Sequence, residues 1–335
     1  MKKRILITER FAQDSLSFLQ QTPGFEVLRS KIPGTIDPAL LVTSHALLIR
    51  SQTLITDKLL EQAKNLQLII TSTSGFDHID LAAAAKWGIT VMHTPTAHIE
   101  SAAQLTWGLV LACSSRIFEA SKMVKAGLWD RNQLIGFELA GQNYGIIGLG
   151  RIGTRVAQMA QTFGMTVAAY DPYQDEEVFA QHKVARLSYE EILRTSDVIS
   201  FHVPQTPETK YMLRRSQFEF IRRGTILVNT SRGMVIHEAD LCEALEQGWI
   251  RSAGLDVFEK EPLPRTSKLL NYPQVLLTPH IGANTEEAFH KASQAAANKC
   301  VRFFGDGTTS ETLPPKASWY GAPAPFAPLH DPSNG

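Results

Sequence analysis

Residues 144–164, YGIIGLGRIGTRVAQMAQTFG, place an apolar run, a glycine-rich turn and a helix-forming segment in immediate succession. Gly148, Gly150 and Gly153 match G-x-G-x-x-G, a hexamer that often marks only a tight turn. Between a strand and a helix it means more. The first glycine permits the sharp turn, the second lets a pyrophosphate approach the backbone, and the third allows close helix–strand packing. The helix N-terminus adds oriented N–H groups. This segment therefore predicts a parallel α/β sheet that binds a dinucleotide.

The rest of the chain follows the same alternation. RILIT, FEVLR, HALLIR, LIITST and ITVMHT precede the glycine turn with helical patterns between them, which predicts a small doubly wound domain. In DLAAAAKWG, residues 80–88, Asp80 is the candidate N-cap and Gly88 the stop. One long helix is expected from Ile99 to Lys125, ended by Gly127. MTVAAYD, DVISFHV, TILVNTSRG, SAGLDVF and QVLLTPH follow the glycine turn, and six strands make a complete dinucleotide-binding sheet. A helix over 284–304 leads back toward the first domain. The last thirty residues, rich in Pro, Gly and Ser, read as a loosely held tail, with Trp319, Tyr320 and Phe326 as anchors.

Composition narrows the class of function. Lys plus Arg and Asp plus Glu both count 33, so no net field attracts nucleic acid or an anionic membrane. The partners expected are a small molecule and another protein chain. No apolar run has the length of a membrane span, and MKKRILITER lacks the apolar core of a secretion signal, so a cytoplasmic protein is expected. Cys113, Cys242 and Cys300 are odd in number and far apart, and read as reduced thiols; no metal is expected.

Asp171 ends the strand after the glycine turn, about twenty residues on, where a carboxylate accepts from ribose hydroxyls and repels a 2'-phosphate. NAD is thereby favoured over NADP. The alternative is that Asp171 only opens the DPY turn. Arg232 follows TILVNTS, Glu261 follows SAGLDVF and His280 follows QVLLTP, so all three belong at the strand ends where a parallel sheet binds ligand. Singly, each has an ordinary structural reading. Together they supply a fork for a carboxylate, a proton carrier near neutral pH and a group that fixes its tautomer.

Here the chain resembles the D-isomer-specific 2-hydroxyacid dehydrogenase family, and most of all its phosphoglycerate dehydrogenase branch. The matching motifs are RSQT (50–53), TSTSGFDHIDLAAAAKWGI (71–89), GIIGLGRIG (145–153), YDP (170–172), HVPQTPET (202–209), NTSRG (229–233), LDVFEKEP (255–262) and TPHIGA (278–283), in family order. The resemblance implies two doubly wound parallel-sheet domains: a flavodoxin-like substrate-binding domain over 1–98 and 285–335, and a Rossmann NAD-binding domain over 99–284. It implies a catalytic trio of Arg232, Glu261 and His280, and cofactor contacts at Ser74, Arg151, Ile152, Asp171, Val203, Thr230 and Asp256 besides the three glycines. Substrate contacts fall on Ser74, Gly75 and Arg232, with Arg50 reading a phosphate. His98 stands where many phosphoglycerate enzymes carry asparagine, and it either donates to phosphate or marks another substrate.

The implied reaction interconverts a D-2-hydroxy acid and its 2-keto acid, with 3-phosphoglycerate and 3-phosphohydroxypyruvate as the expected pair, a place in serine synthesis, and a homodimer as the assembly. A hydroxypyruvate or glyoxylate reductase is the nearest alternative. An NAD-sensing, co-repressor-like interaction protein is the alternative from another class.

Overall fold

The computed structural model describes residues 2–317 and Tyr320. Trp319, Phe326 and the rest of the tail lie outside the described residues. The chain divides into two compact units, one of residues up to Ile99 together with Ala283–Tyr320, the other running from Glu100 to Gly282.

The first unit is built on β1 (Lys3–Ile7), β2 (Phe25–Arg29), β3 (Ala46–Ile49), β4 (Leu68–Thr71) and β5 (Thr90–His93), in the order β5-β4-β3-β1-β2, all parallel. Every residue of β3 and β4 is buried, as expected for central strands covered on both faces. The edge strand β2 has no fully buried residue. Asp80 caps helix Leu81–Lys86 by accepting from Ala83 N–H at 2.8 Å, and Gly88 follows with φ +68°.

The returning helix, Glu286–Asp306, starts at Thr285, whose hydroxyl accepts from Ala288 N–H, and ends at Gly307 with φ +76°. Its Ala296, Ala297 and Cys300 join Ile5, Leu19 and Ile70 in one core. The described residues after it carry more structure than their composition predicts. Thr312–Leu313 forms a two-residue strand antiparallel to β5, and Tyr320 lies 6.3 Å from the Phe76 ring.

The second unit contains β6 (Asn143–Ile147), β7 (Thr166–Tyr170), β8 (Ala185–Arg186), β9 (Val198–Phe201), β10 (Thr225–Asn229), β11 (Ile250–Leu255) and β12 (Val275–Leu277), all parallel, in the order β12-β11-β10-β9-β6-β7-β8. Among the described residues this sheet has seven strands, not six. The missed one, β8, has two exposed residues and hence no apolar run to betray it.

The expected single helix over 99–125 is two, Ile99–Ser114 and Ile117–Lys125. Arg116 between them is left-handed at φ 53°, and the Ser114 carbonyl accepts from Phe137 N–H at 3.1 Å. That bond takes an acceptor which a continuous helix would give to the residue four further on. Among the described residues, no helix is long and apolar enough to cross a membrane.

Candidate active site

The glycine turn leaves the carboxyl end of β6 and opens helix Arg151–Thr162. Gly148 has φ +96°, and a Cβ on it would lie 2.8 Å from the His202 carbonyl oxygen and 2.9 Å from Val203 Cγ1. A Cβ on Gly153 would lie 2.1 Å from the Gly148 carbonyl oxygen. Larger residues at either position would push the turn off the sheet. Gly150 differs, because a Cβ there would meet no atom within 4 Å. Gly150 is also the helix N-cap and brings no side chain to the first-turn N–H groups. Bare donors beside open space suit a dinucleotide pyrophosphate, and Arg151 and Ile152 are the helix's first residues.

Asp171 follows β7. Its Oδ2 accepts from Leu149 N–H at 2.8 Å, within the glycine turn, and its Oδ1 from Tyr173 N–H at 3.0 Å. Through these bonds it opens the DPY turn and braces the glycine turn. Burial pushes the carboxyl up from its ordinary value, against the pull of the N–H donors. Thr230, after β10, shares a 2.7 Å hydroxyl contact with Thr106.

Arg232, Glu261 and His280 follow β10, β11 and β12, three neighbouring parallel strands, so their carboxyl ends share one edge. His280 Nδ1–H donates to Glu261 Oε2 at 2.7 Å, and Phe258 N–H donates to Glu261 Oε1 at 3.1 Å. The hydrogen bond to Glu261 raises the imidazole pKa above its ordinary value. Desolvation opposes it, the Glu261 charge adds to it, and the Arg232 charge opposes it. For Glu261, burial pushes the carboxyl up, but His280, Phe258 N–H and Arg232 together outweigh it and hold the carboxyl below its ordinary value. Arg232 Nη1 donates to the Ser231 carbonyl at 2.7 Å, and the Arg232 carbonyl accepts from the Asn229 side chain at 2.9 Å.

His280 has φ 53°, a left-handed conformation that costs about 1–2 kcal/mol for a residue with a Cβ. Asp256 imposes it. Its carboxylate accepts from Thr278 Oγ1 at 2.6 Å, Ile281 N–H at 2.9 Å and Gly282 N–H at 2.8 Å, while its carbonyl accepts from His280 N–H at 2.9 Å. Asp256 is 0% exposed and its carboxylate oxygens hold the 278–282 turn, so it sets the position of His280.

In the first unit, Ser74 Oγ donates to the Pro95 carbonyl at 3.2 Å, and the Gly75 carbonyl accepts from Thr73 Oγ1 at 2.7 Å. Arg50, after β3, has a buried Nη1 with no hydrogen-bond partner. His98 lies in the same unit. It is 3% exposed, its Nε2–H donates to the Ser72 carbonyl at 3.2 Å, and burial, with Arg50's charge, pushes its pKa down to about 4. A neutral, buried imidazole steadies the 72–75 loop from beneath.

Two further residues escaped the sequence reading. A Cβ on Gly233 would lie 1.9 Å from the Phe258 carbonyl carbon and oxygen, so the arginine loop packs directly on the backbone that leads to Glu261. Glu9, just after β1, accepts from Arg50 N–H at 2.9 Å, Thr53 N–H at 3.1 Å and Thr53 Oγ1 at 2.8 Å, and so shapes the RSQT turn. An acidic residue closing an apolar strand was the available signal for Glu9. Gly233 offered none beyond its motif.

Residues 107–282 match the model of the D-isomer specific 2-hydroxyacid dehydrogenase, NAD binding domain. The chain is 36% identical over 300 residues to D-3-phosphoglycerate dehydrogenase of Bacillus subtilis (strain 168), covering 90% of this chain but only 57% of that protein. It is 34% identical over 313 residues to glyoxylate reductase of Aeropyrum pernix, covering 90% of this chain and 93% of that one. The crystal structure of D-lactate dehydrogenase from Aquifex aeolicus, complexed with NAD and lactic acid, superimposes with a TM-score of 0.80 at 28% identity, over 91% of this chain and 96% of that one. The chain thus spans little more than half the length of its phosphoglycerate dehydrogenase relative and nearly all of its glyoxylate reductase relative. Fold, motifs and both relatives lead to one conclusion: the chain belongs to the D-isomer-specific 2-hydroxyacid dehydrogenase family.

Proposed function

We propose that the protein is an NAD-dependent oxidoreductase that interconverts a D-2-hydroxy acid and its 2-keto acid, with 3-phosphoglycerate and 3-phosphohydroxypyruvate as the working pair. The observation that carries the reading is the 2.7 Å bond between His280 Nδ1 and Glu261 Oε2 at the edge that also bears the glycine turn. Gly148, Gly150, Arg151, Ile152 and Gly153 would hold the pyrophosphate, Asp171 the ribose, and Val203, Thr230 and Ser74 the remaining contacts of the NAD. When bound, NAD supplies the hydride acceptor, and NADH the donor.

The chain's own residues handle binding and the proton. Glu261 takes Nδ1–H, which leaves Nε2 as the nitrogen that gives a proton to the carbonyl oxygen during reduction and receives it during oxidation. Arg232 presents a fork to the substrate carboxylate, and N–H groups around Ser74 and Gly75 add to it. Arg50 reads the phosphate, and its partnerless buried Nη1 supports that role.

NADH oxidation by the purified protein, with 3-phosphohydroxypyruvate and hydroxypyruvate compared as kcat/KM, tests the reading. A preference of about tenfold or more for the phosphorylated acid is expected, roughly 1.4 kcal/mol of discrimination. A preference for hydroxypyruvate or glyoxylate would leave the dehydrogenase chemistry standing and remove the phosphoglycerate assignment. The Aeropyrum pernix relative is the observation that favours that second reading.

The assembly proposed is a homodimer through the second unit. Ile117, Phe118, Val124, Leu128, Trp129 and Ile135 are all exposed on one stretch of chain, Trp129 at 79%, an apolar density that monomers rarely leave open. Light scattering is expected to give twice the chain mass for the natural protein and a monomer for Trp129→Asp. A monomeric natural protein would refute the assembly.

A further inference from the structure

Two arginines of the first unit share one aromatic ring. The guanidinium carbon of Arg50 lies 5.4 Å from the centre of the Phe289 ring, and that of Arg10 lies 5.0 Å from it. Arg50 directly follows β3, and Arg10 comes three residues after β1, its paired parallel neighbour, so both leave the sheet at the same edge. Phe289 stands near the start of helix Glu286–Asp306 in the same unit.

The nearest counter-charge is committed elsewhere. Besides the three bonds to Glu9 Oε1 from Arg50 N–H, Thr53 N–H and Thr53 Oγ1, Glu9 Oε2 accepts from Gln52 N–H at 3.3 Å. Those bonds build the turn that aims Arg50 and leave its buried Nη1 without a hydrogen-bond partner. Burial pushes the Arg50 pKa down, Glu9 works against that, and the charge of Arg10 adds to it. Cation–π attraction to Phe289 offsets only a small part of the cost of holding two guanidinium groups together at a partly exposed site. Two like charges on one ring, with a buried donor unsatisfied, are arranged for an anion.

The type of anion follows from the donors. One guanidinium is enough for a carboxylate. A pair over an apolar floor suits a group carrying nearly two charges and three acceptor oxygens, which is a phosphoryl group. We infer that Arg10 is a second, specificity-determining cation that holds the phosphoryl group of the substrate together with Arg50 over Phe289; this rests on the reading of Arg50 as the phosphate ligand. Arg10 is exposed at the end of TER and belongs to none of the motifs that carried the family resemblance. It contributes charge, and the half-buried Arg50 contributes geometry.

The experiment compares kcat/KM for 3-phosphohydroxypyruvate with that for hydroxypyruvate in the natural protein, Arg10→Ala and Arg10→Lys, with thermal melts as the control for folding. Arg10→Ala is expected to cut the preference for the phosphorylated acid by about tenfold, chiefly through KM, and Arg10→Lys to restore part of it. If the natural protein prefers the phosphorylated acid and Arg10→Ala keeps that preference whole, the inference falls and the phosphoglycerate reading survives. If the natural protein shows no such preference, the phosphoglycerate reading falls and takes the inference with it.

Discussion

His280→Ala is expected to lower kcat for keto-acid reduction by about 10²- to 10⁴-fold while NADH binding, followed by fluorescence, stays within a few-fold. The two readouts separate because the proton carrier belongs to the turn after β12, whereas the glycine turn follows β6. Unchanged turnover would remove His280 as the acid/base. The pH profile gives the same test a second axis. Reduction requires the imidazolium, so its kcat/KM should be level below the raised His280 pKa and fall above it; oxidation requires the neutral ring and should rise through the same pKa. Glu261→Gln removes the charge and weakens the hydrogen bond that raise that pKa, so both limbs should move to lower pH. A profile that Glu261→Gln leaves in place would show that the titrating group is not His280.

The same pair links stability to pH. His280 is raised from 6.5, so its contribution is fully present below that value and is lost as pH rises through the folded-state pKa. Glu261 is lowered from 4.5, so its contribution is present above that value and is lost as pH falls through the folded-state pKa. The bond therefore stabilises most between about 4.5 and 6.5. Both side chains keep partial solvent access, 48% and 37%, so the effect on the melting temperature should be small beside the effect on rate.

Gly233→Ala is expected to cost about 1–3 kcal/mol and to lower kcat/KM by about a hundredfold. The added methyl would lie 1.9 Å from the Phe258 carbonyl carbon and oxygen and 2.6 Å from Glu259 N, all backbone atoms without a rotamer to change. One of the two loops must move. Arg232 belongs to one loop, and Phe258 N–H, which holds Glu261 Oε1, belongs to the other. Either displacement separates the carboxylate fork from the histidine's partner. Thermal melts and steady-state kinetics on the purified variant measure both effects, and a variant with natural melting and natural kcat/KM would mean that the loops have more room than 1.9 Å implies. Gly150→Ala makes the control for bulk alone, since its methyl meets no protein atom within 4 Å; it should spare stability and weaken the dinucleotide.

Strand runs, the glycine turn and the capped helix were legible in the sequence because each is a local pattern: an apolar period, a residue that tolerates positive φ, a side chain that reaches an N–H three residues on. The placement of Arg232, Glu261 and His280 at one edge was legible too, since parallel strands bring their carboxyl ends together. The two-residue β8 and the break at Ser114–Arg116 were not, because exposed residues carry no apolar period and the acceptor is taken by Phe137, more than twenty positions along the chain. Asp256 and His98 were assigned to ligands by family resemblance, and only the tertiary structure showed that both are buried and which groups they bond. A carboxylate enclosed by three donors is committed to the turn it folds, and an imidazole shut off from water stays neutral. Residue type and spacing thus determined which groups are available for the chemistry. The tertiary structure decided which of them meet solvent and which support the others, because burial and hydrogen-bond partners come from segments distant in sequence.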